Sequence, residues 1–158
     1  MSYQNFEKAL ELAKACDGYD DGGGKSLDTI RRAEELLGLV FSKQNLEYFS
    51  RLGYMEFFGT EVYGIVKDDF SGIPAGNCVE SALADRQEYD LPAMWLPIYF
   101  FDDGYMGYLD YSQLNDEGEP LVIMALYNGT EFIVTDKIAE DLGDFLLSLV
   151  EEQLASQN

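Results

Sequence analysis

Histidine is absent from the 158 residues, cysteine occurs twice, proline four times, and ten lysines and arginines face thirty aspartates and glutamates. Each shortage excludes something. Without an imidazole, Ser-His-Asp and Cys-His nucleophile activation are excluded, as are histidine-ligated zinc and haem sites. Cys16 and Cys78 lie far apart and form no CxxC motif, which reads as two free thiols in a reducing compartment. The formal net charge of −20 disfavours a nucleic-acid backbone or an anionic membrane as partner, because their phosphates would be repelled. No apolar run approaches membrane-spanning length. The opening Met-Ser-Tyr-Gln-Asn-Phe-Glu-Lys lacks the basic and then apolar regions of a signal peptide. These absences predict a soluble protein of the cytoplasm.

What is present is the material of a folded domain. Hydrophobic residues make up 47% of the chain and aromatics 14%, enough for a sizeable core at this length. No internal repeat, low-complexity tract or interdomain linker interrupts it, so a single domain over 1–158 is expected. The acid excess has two readings. It keeps the protein soluble and monodisperse, or it draws in a basic partner by long-range steering.

The stretch from Trp95 to Val134 organises the chain. Ile98 to Phe101 is an apolar run, Asp102-Asp103-Gly104 breaks it, and Tyr105 to Leu109 resumes it. An Asp-Gly step between two such runs predicts a hairpin, because the turn needs backbone conformations that these residues tolerate. Leu121 to Tyr127 is a third strand, Asn128-Gly129 a type I′ turn signal, and Glu131 to Val134 a fourth strand. Short connections make this an antiparallel meander. Before it, Tyr3 to Cys16 is predicted helical, Asp17 to Lys25 is a loop, and Ser26 caps a helix that runs to Leu37. That helix turns Ile30, Ala33, Leu36 and Leu37 inward and ends at Gly38. Ser42 caps a third helix through Leu52, stopped by Gly53. Phe57 to Val66 reads as one or two strands around Gly59, Asp68 to Asn77 as a loop, and Cys78 to Tyr89 as a short helix. Lys137 to Leu154 closes the chain as an amphipathic helix carrying Ile138, Leu142, Phe145, Leu146 and Leu149.

Three motifs tempt. Gly24-Lys25-Ser26 ends like a phosphate-binding loop, but the required earlier glycine is Tyr19 and a helix, not a strand, precedes it. Asp17, Asp21, Gly22 and Asp28 match positions one, five, six and twelve of an EF-hand loop. Position three is Tyr19, however, and the last ligand is the short Asp. The pairs Asp68-Asp69 and Asp102-Asp103 have the composition of a glycosidase or metal-nuclease site, yet turn chemistry already accounts for adjacent acids there. An enzyme using them would need converging acids in a buried pocket. The aromatics Tyr54, Phe57, Phe58, Tyr63, Tyr99, Phe100, Phe101, Tyr105 and Tyr108 cluster around the strands. Most belong in the core by alternation, and those left outside would make an aromatic and acidic patch suited to a protein partner.

The ordered set of signatures resembles the SUKH superfamily, bacterial toxin-immunity proteins related to fungal regulators of cell-wall assembly. It begins with Ile30 and Glu34-Glu35-Leu36-Leu37-Gly38, then the helix from Asn45 to Leu52. Phe58-Gly59-Thr60-Glu61-Val62-Tyr63-Gly64-Ile65 follows, then Trp95-Leu96-Pro97-Ile98, Asp103-Gly104 and Tyr108-Leu109-Asp110. Ile138 with Asp144-Phe145-Leu146 ends it. The likeness spans Ile30 to about residue 155; Leu39-Val40-Phe41 departs from the Leu-Pro usual after the first glycine.

The resemblance implies an α+β domain, a twisted antiparallel sheet flanked by N-terminal helices and a C-terminal helix. It implies no cofactor and no catalysis, but a cytoplasmic protein that blocks a cognate toxin. A basic nuclease toxin would fit the acidic charge. The alternative is an intracellular scaffold that binds a host protein. Candidate partner-binding residues are the acids predicted to be exposed near strand ends and turns: Glu56, Glu61, Asp68, Asp69, Asp102, Asp103, Asp116 and Glu117.

Overall fold

A computed structural model of the chain describes residues 2–74 and 76–157. Helix α1 (Ser2–Lys14) leads to a two-residue strand β1 (Asp20–Asp21), then α2 (Leu27–Leu37) and α3 (Lys43–Arg51). Strands β2 (Met55–Phe57) and β3 (Thr60–Val62) form a hairpin, and α4 (Cys78–Tyr89) precedes the meander. The meander is β4 (Trp95–Phe100), β5 (Tyr105–Leu114), β6 (Pro120–Tyr127) and β7 (Phe132–Ala139), followed by α5 (Leu142–Ser156). Two antiparallel sheets result, ordered β1-β2-β3 and β4-β5-β6-β7, so the fold is α+β.

Local chemistry sets most boundaries. The Ser26 hydroxyl accepts from the Thr29 amide at the start of α2, and Gly38 closes that helix in the left-handed region at φ 70°. Ser42 caps α3 in the same way, and Gly53 follows it at φ 72°. Asp103 and Gly104 both take positive φ, 59° and 85°, as a tight β4–β5 hairpin requires. The second hairpin differs from expectation. Asn128 has no positive φ, and the loop spans four residues in which its side chain accepts from the Thr130 and Glu131 amides. The Asn side chain therefore builds the turn, in place of a two-residue type I′ geometry.

Three further expectations are corrected. The closing helix does not start at Lys137. Residues 132–139 pair along β6 as far as Val122 opposite Ala139, so Lys137 and Ile138 belong to a strand. The β-branched run Ile133, Val134, Thr135 and Ile138 favours that strand, and Asp141 caps the helix by accepting from the Asp144 amide at 2.9 Å. The loop from Asp17 to Lys25 contains β1, which pairs with β2. Leu36 is 41% exposed, because Ala33 and Leu37 already occupy the buried stripe of α2.

The meander is covered on both faces. On one, Leu96, Leu109 and Val122 stand opposite one another and are fully buried, with α5 across β6 and β7 and α1 packed along α5. Tyr99 and Phe101 meet Phe145 of α5 edge to face. On the other face Trp95, Tyr108, Tyr127 and Phe132 form an aromatic cluster joined by Tyr89 of α4. Trp95 and Phe132 sit on the two opposite edge strands, yet their ring centroids are 6.1 Å apart. The sheet therefore curls strongly, helped by register shifts in β4 and β7.

A buried polar network ties the β5–β6 turn to the starts of α3 and α5. Gln44 donates its backbone N–H to Glu119 and accepts from the Gly143 amide on its side-chain oxygen, while the Asn45 side chain donates to the Tyr111 hydroxyl. Burial raises the Tyr111 phenol to about 12. The Glu119 carboxyl is also raised, chiefly by burial and secondarily by the Asp141 carboxylate, against hydrogen bonds from Ser42 and Gln44 that favour the charged form.

Candidate partner-binding site

Alternation along the small sheet turns Met55, Phe57 and Val62 into the core and leaves the acids outside. The register then stacks them. Asp20 lies opposite Glu56, and Glu56 lies opposite Glu61, so three carboxylates cross the three strands in one row. Directly opposed residues have Cβ atoms about 5 Å apart, where like charges destabilise the sheet. Among the described residues, the ion pairs are Lys25–Asp68, Arg51–Glu7 and Lys137–Glu140, and none neutralises this row.

Glu56 and Glu61 also line a groove of about 420 Å³, together with Tyr54, Val66, Lys67 and Ile73. Gly76, another lining residue, sits at φ 81°; a Cβ there would come 2.9 Å from the Glu61 Oε1 atom. Glycine at this place thus lets the Glu61 carboxylate lie against the loop backbone. Asp68 and Asp69 border an adjoining hollow that shares Val66 and Lys67 with the groove. Lys25 donates to the Val66 carbonyl at 3.1 Å and lies 3.8 Å from Asp68. Asp69 accepts from both the amide and the hydroxyl of Ser71, and these two bonds hold its carboxyl below the usual carboxylate range.

Four of the predicted acids are therefore brought together: Glu56, Glu61, Asp68 and Asp69. The other four are not. Asp102 and Asp103 occupy the β4–β5 turn, and Asp116 and Glu117 the β5–β6 turn. The ten residues of β5 separate those two turns by about 30 Å.

Two acids of this region escaped sequence reasoning. Asp20 joins the row only because a two-residue strand without β propensity pairs with β2. Glu80 occupies the third position of α4, after the Asn77 cap, so an Asn-x-x-Glu pattern was its one available signal. Glu80 is 9% exposed, and neither carboxylate oxygen has a hydrogen-bond partner of good geometry. Burial raises its carboxyl, while the nearby amides of Glu80 itself and Gly72 pull the other way.

The remaining motifs find ordinary roles. Asp21 is engaged within its own loop, accepting from the Gly23 amide and from the Tyr19 hydroxyl at 2.6 Å. Among the described residues no three His, Cys, Asp or Glu side chains are grouped to hold a metal ion. Cys78 is fully buried, and burial pushes its thiol up, away from nucleophilic character. No helix among the described residues is long and apolar enough to cross a membrane.

A model of the SUKH group, described as SMI1-KNR4 cell-wall, matches residues 10–151. No curated protein matches the chain.

Proposed function

The chain belongs to the SUKH (SMI1-KNR4) superfamily, and from that membership we propose that it is an immunity protein: it neutralises a cognate, basic, nuclease-type toxin by binding it one to one. The row Asp20–Glu56–Glu61 is the observation that carries this reading. The register sets three acidic residues directly opposite one another on neighbouring strands, an arrangement that costs stability and that a basic surface would relieve. The net charge of −20 adds long-range attraction toward such a surface. Binding involves no chemistry; the protein covers the surface with which the toxin grips nucleic acid, inside the cytoplasm where the toxin acts. Asp102, Asp103, Asp116 and Glu117 lie too far apart to form one patch, and they contribute to steering more than to contact.

A second reading follows from the kinship with SMI1-KNR4 cell-wall proteins: an intracellular scaffold that binds a host protein. One experiment separates the two. The gene beside this one is expressed with and without the protein in a sensitive host. Rescue of growth, with the two products co-purifying, supports immunity. Continued killing with no complex, while host regulatory proteins co-purify reproducibly, puts the scaffold first.

A further inference from the structure

The groove beside the carboxylate row has features that a solvated acidic surface does not need. Its walls include two carboxylates from adjacent strands, Glu56 and Glu61, and apolar surface from Tyr54, Val66 and Ile73. Glu80 abuts the wall to which Ser71, Gly72 and Ile73 contribute: its Oε2 atom lies 3.2 Å from where a Cβ on Gly72 would stand, and Gly72 lines the groove. That carboxylate is nine-tenths buried, and neither oxygen has a partner of good geometry, although the Glu80 and Gly72 amides lie close enough to favour its charged form. A buried acid in this condition is costly unless a donor reaches it. Lys67 is the cation at the groove, and it is exposed. Against it stand Glu56, Glu61 and the neighbouring Asp69, so the local balance remains acidic.

We propose that this groove is a receptor for a single arginine side chain of the basic partner, its guanidinium held between Glu56 and Glu61 at the mouth and its stem against Tyr54, Val66 and Ile73. The fit favours arginine over lysine. A planar guanidinium offers five donors in a fixed fork, which can serve two opposed carboxylates at once and still point a donor toward Glu80, whereas an ammonium acts as a point charge. The loop geometry supports the receptor: Gly76 leaves room for Glu61, and Asn77 braces the loop by donating to the Ile73 carbonyl. This inference rests on the reading of a basic protein partner and narrows it to one side chain and one place.

The test uses the full chain and three short blocked peptides, Gly-Arg-Gly, Gly-Lys-Gly and the uncharged citrulline analogue, followed by amide chemical shifts. The arginine peptide is expected to shift the amides of residues 56, 61, 72 and 76 in a saturable way. The lysine peptide should bind at least threefold more weakly, and the citrulline peptide should not bind. E61Q and E56Q should each weaken the arginine peptide several-fold, with E11Q/E151Q, two exposed helix acids outside the groove, as a control that leaves binding unchanged. Shifts spread evenly over the acidic surface, equal binding of lysine and arginine, or unchanged binding in E61Q would each overturn the proposal. The toxin pair gives a separate readout. Full toxin neutralisation by E61Q removes the groove and keeps the immunity reading, whereas arginine-peptide binding without any neutralisation keeps the groove and removes the immunity reading.

Discussion

Replacing Glu56 by Gln should make the protein more stable. Glu56 is the central member of the row, opposite Asp20 on one side and Glu61 on the other, so one substitution removes two cross-strand like-charge pairs. Cross-strand pairs contribute roughly 0.2–1 kcal/mol each, which gives about 0.4–2 kcal/mol for the pair of contacts. Glu56 is half-buried at the groove, and solvent screening places the gain in the lower part of that range. A chain of this size shifts its melting temperature by roughly 2–4 °C per kcal/mol, so a rise of about 1–4 °C is expected by calorimetry in low salt. The gain must also be electrostatic in its signature. In about 1 M salt the Debye length falls to roughly 3 Å, and the difference between E56Q and wild type should shrink toward zero. A loss of stability in E56Q, or a gain that persists undiminished at high salt, would refute the claim that the row is electrostatically strained.

Other predictions concern the scaffold. Tyr48 is buried and donates its hydroxyl to the Val62 carbonyl at 3.1 Å, so Tyr48→Phe orphans that carbonyl and should cost about 1–2 kcal/mol by urea denaturation. Asp141→Ala removes the cap of α5 and should destabilise by about 1–2 kcal/mol, whereas Asp141→Asn should recover most of the loss. Glu119 and Glu80 have folded-state carboxyls raised above the ordinary 4.5, so the folded protein holds their protons more tightly than the unfolded chain does. Their contribution to stability is complete below pH 4.5 and is lost as pH rises through their folded values. The urea midpoint should therefore decline from about pH 4.5 toward neutrality, and Glu119→Gln should flatten that decline; an unchanged slope in the variant would contradict the assignment.

The parts of this structure legible in the sequence are those decided locally. Ser26, Gly38 and Ser42 bound their helices because a cap depends on residues within one turn, and Asp103-Gly104 makes a tight hairpin for the same reason. The start of the last helix was not local. Ile138 suits a helical stripe as well as a strand, and only pairing with β6 decides between them. Asn128-Gly129 carried the right turn residues, but the loop length came from the register of the strands it joins. The candidate site shows the same division. Exposure of Glu61, Asp68 and Asp69 follows from pattern and turn chemistry. That Asp20 completes the row depends on β1 pairing with β2, and that Glu61 and Glu56 share a groove with Glu80 buried beside it depends on residues 66–74 and 76–77 lying back over the small sheet, with Gly64 bridging to Asn77. No periodicity encodes that contact.

Stoichiometric occlusion of a basic toxin can be read from a titration. The purified product of the neighbouring gene is assayed for its activity while this protein is added at low and at high salt. Activity should fall linearly and reach zero at a one-to-one ratio, with weaker inhibition at high salt and intact toxin recovered on dissociation. Inhibition well below equimolar amounts with a chemically altered toxin would show an enzyme, and undiminished activity at excess would show that this protein does not neutralise that partner.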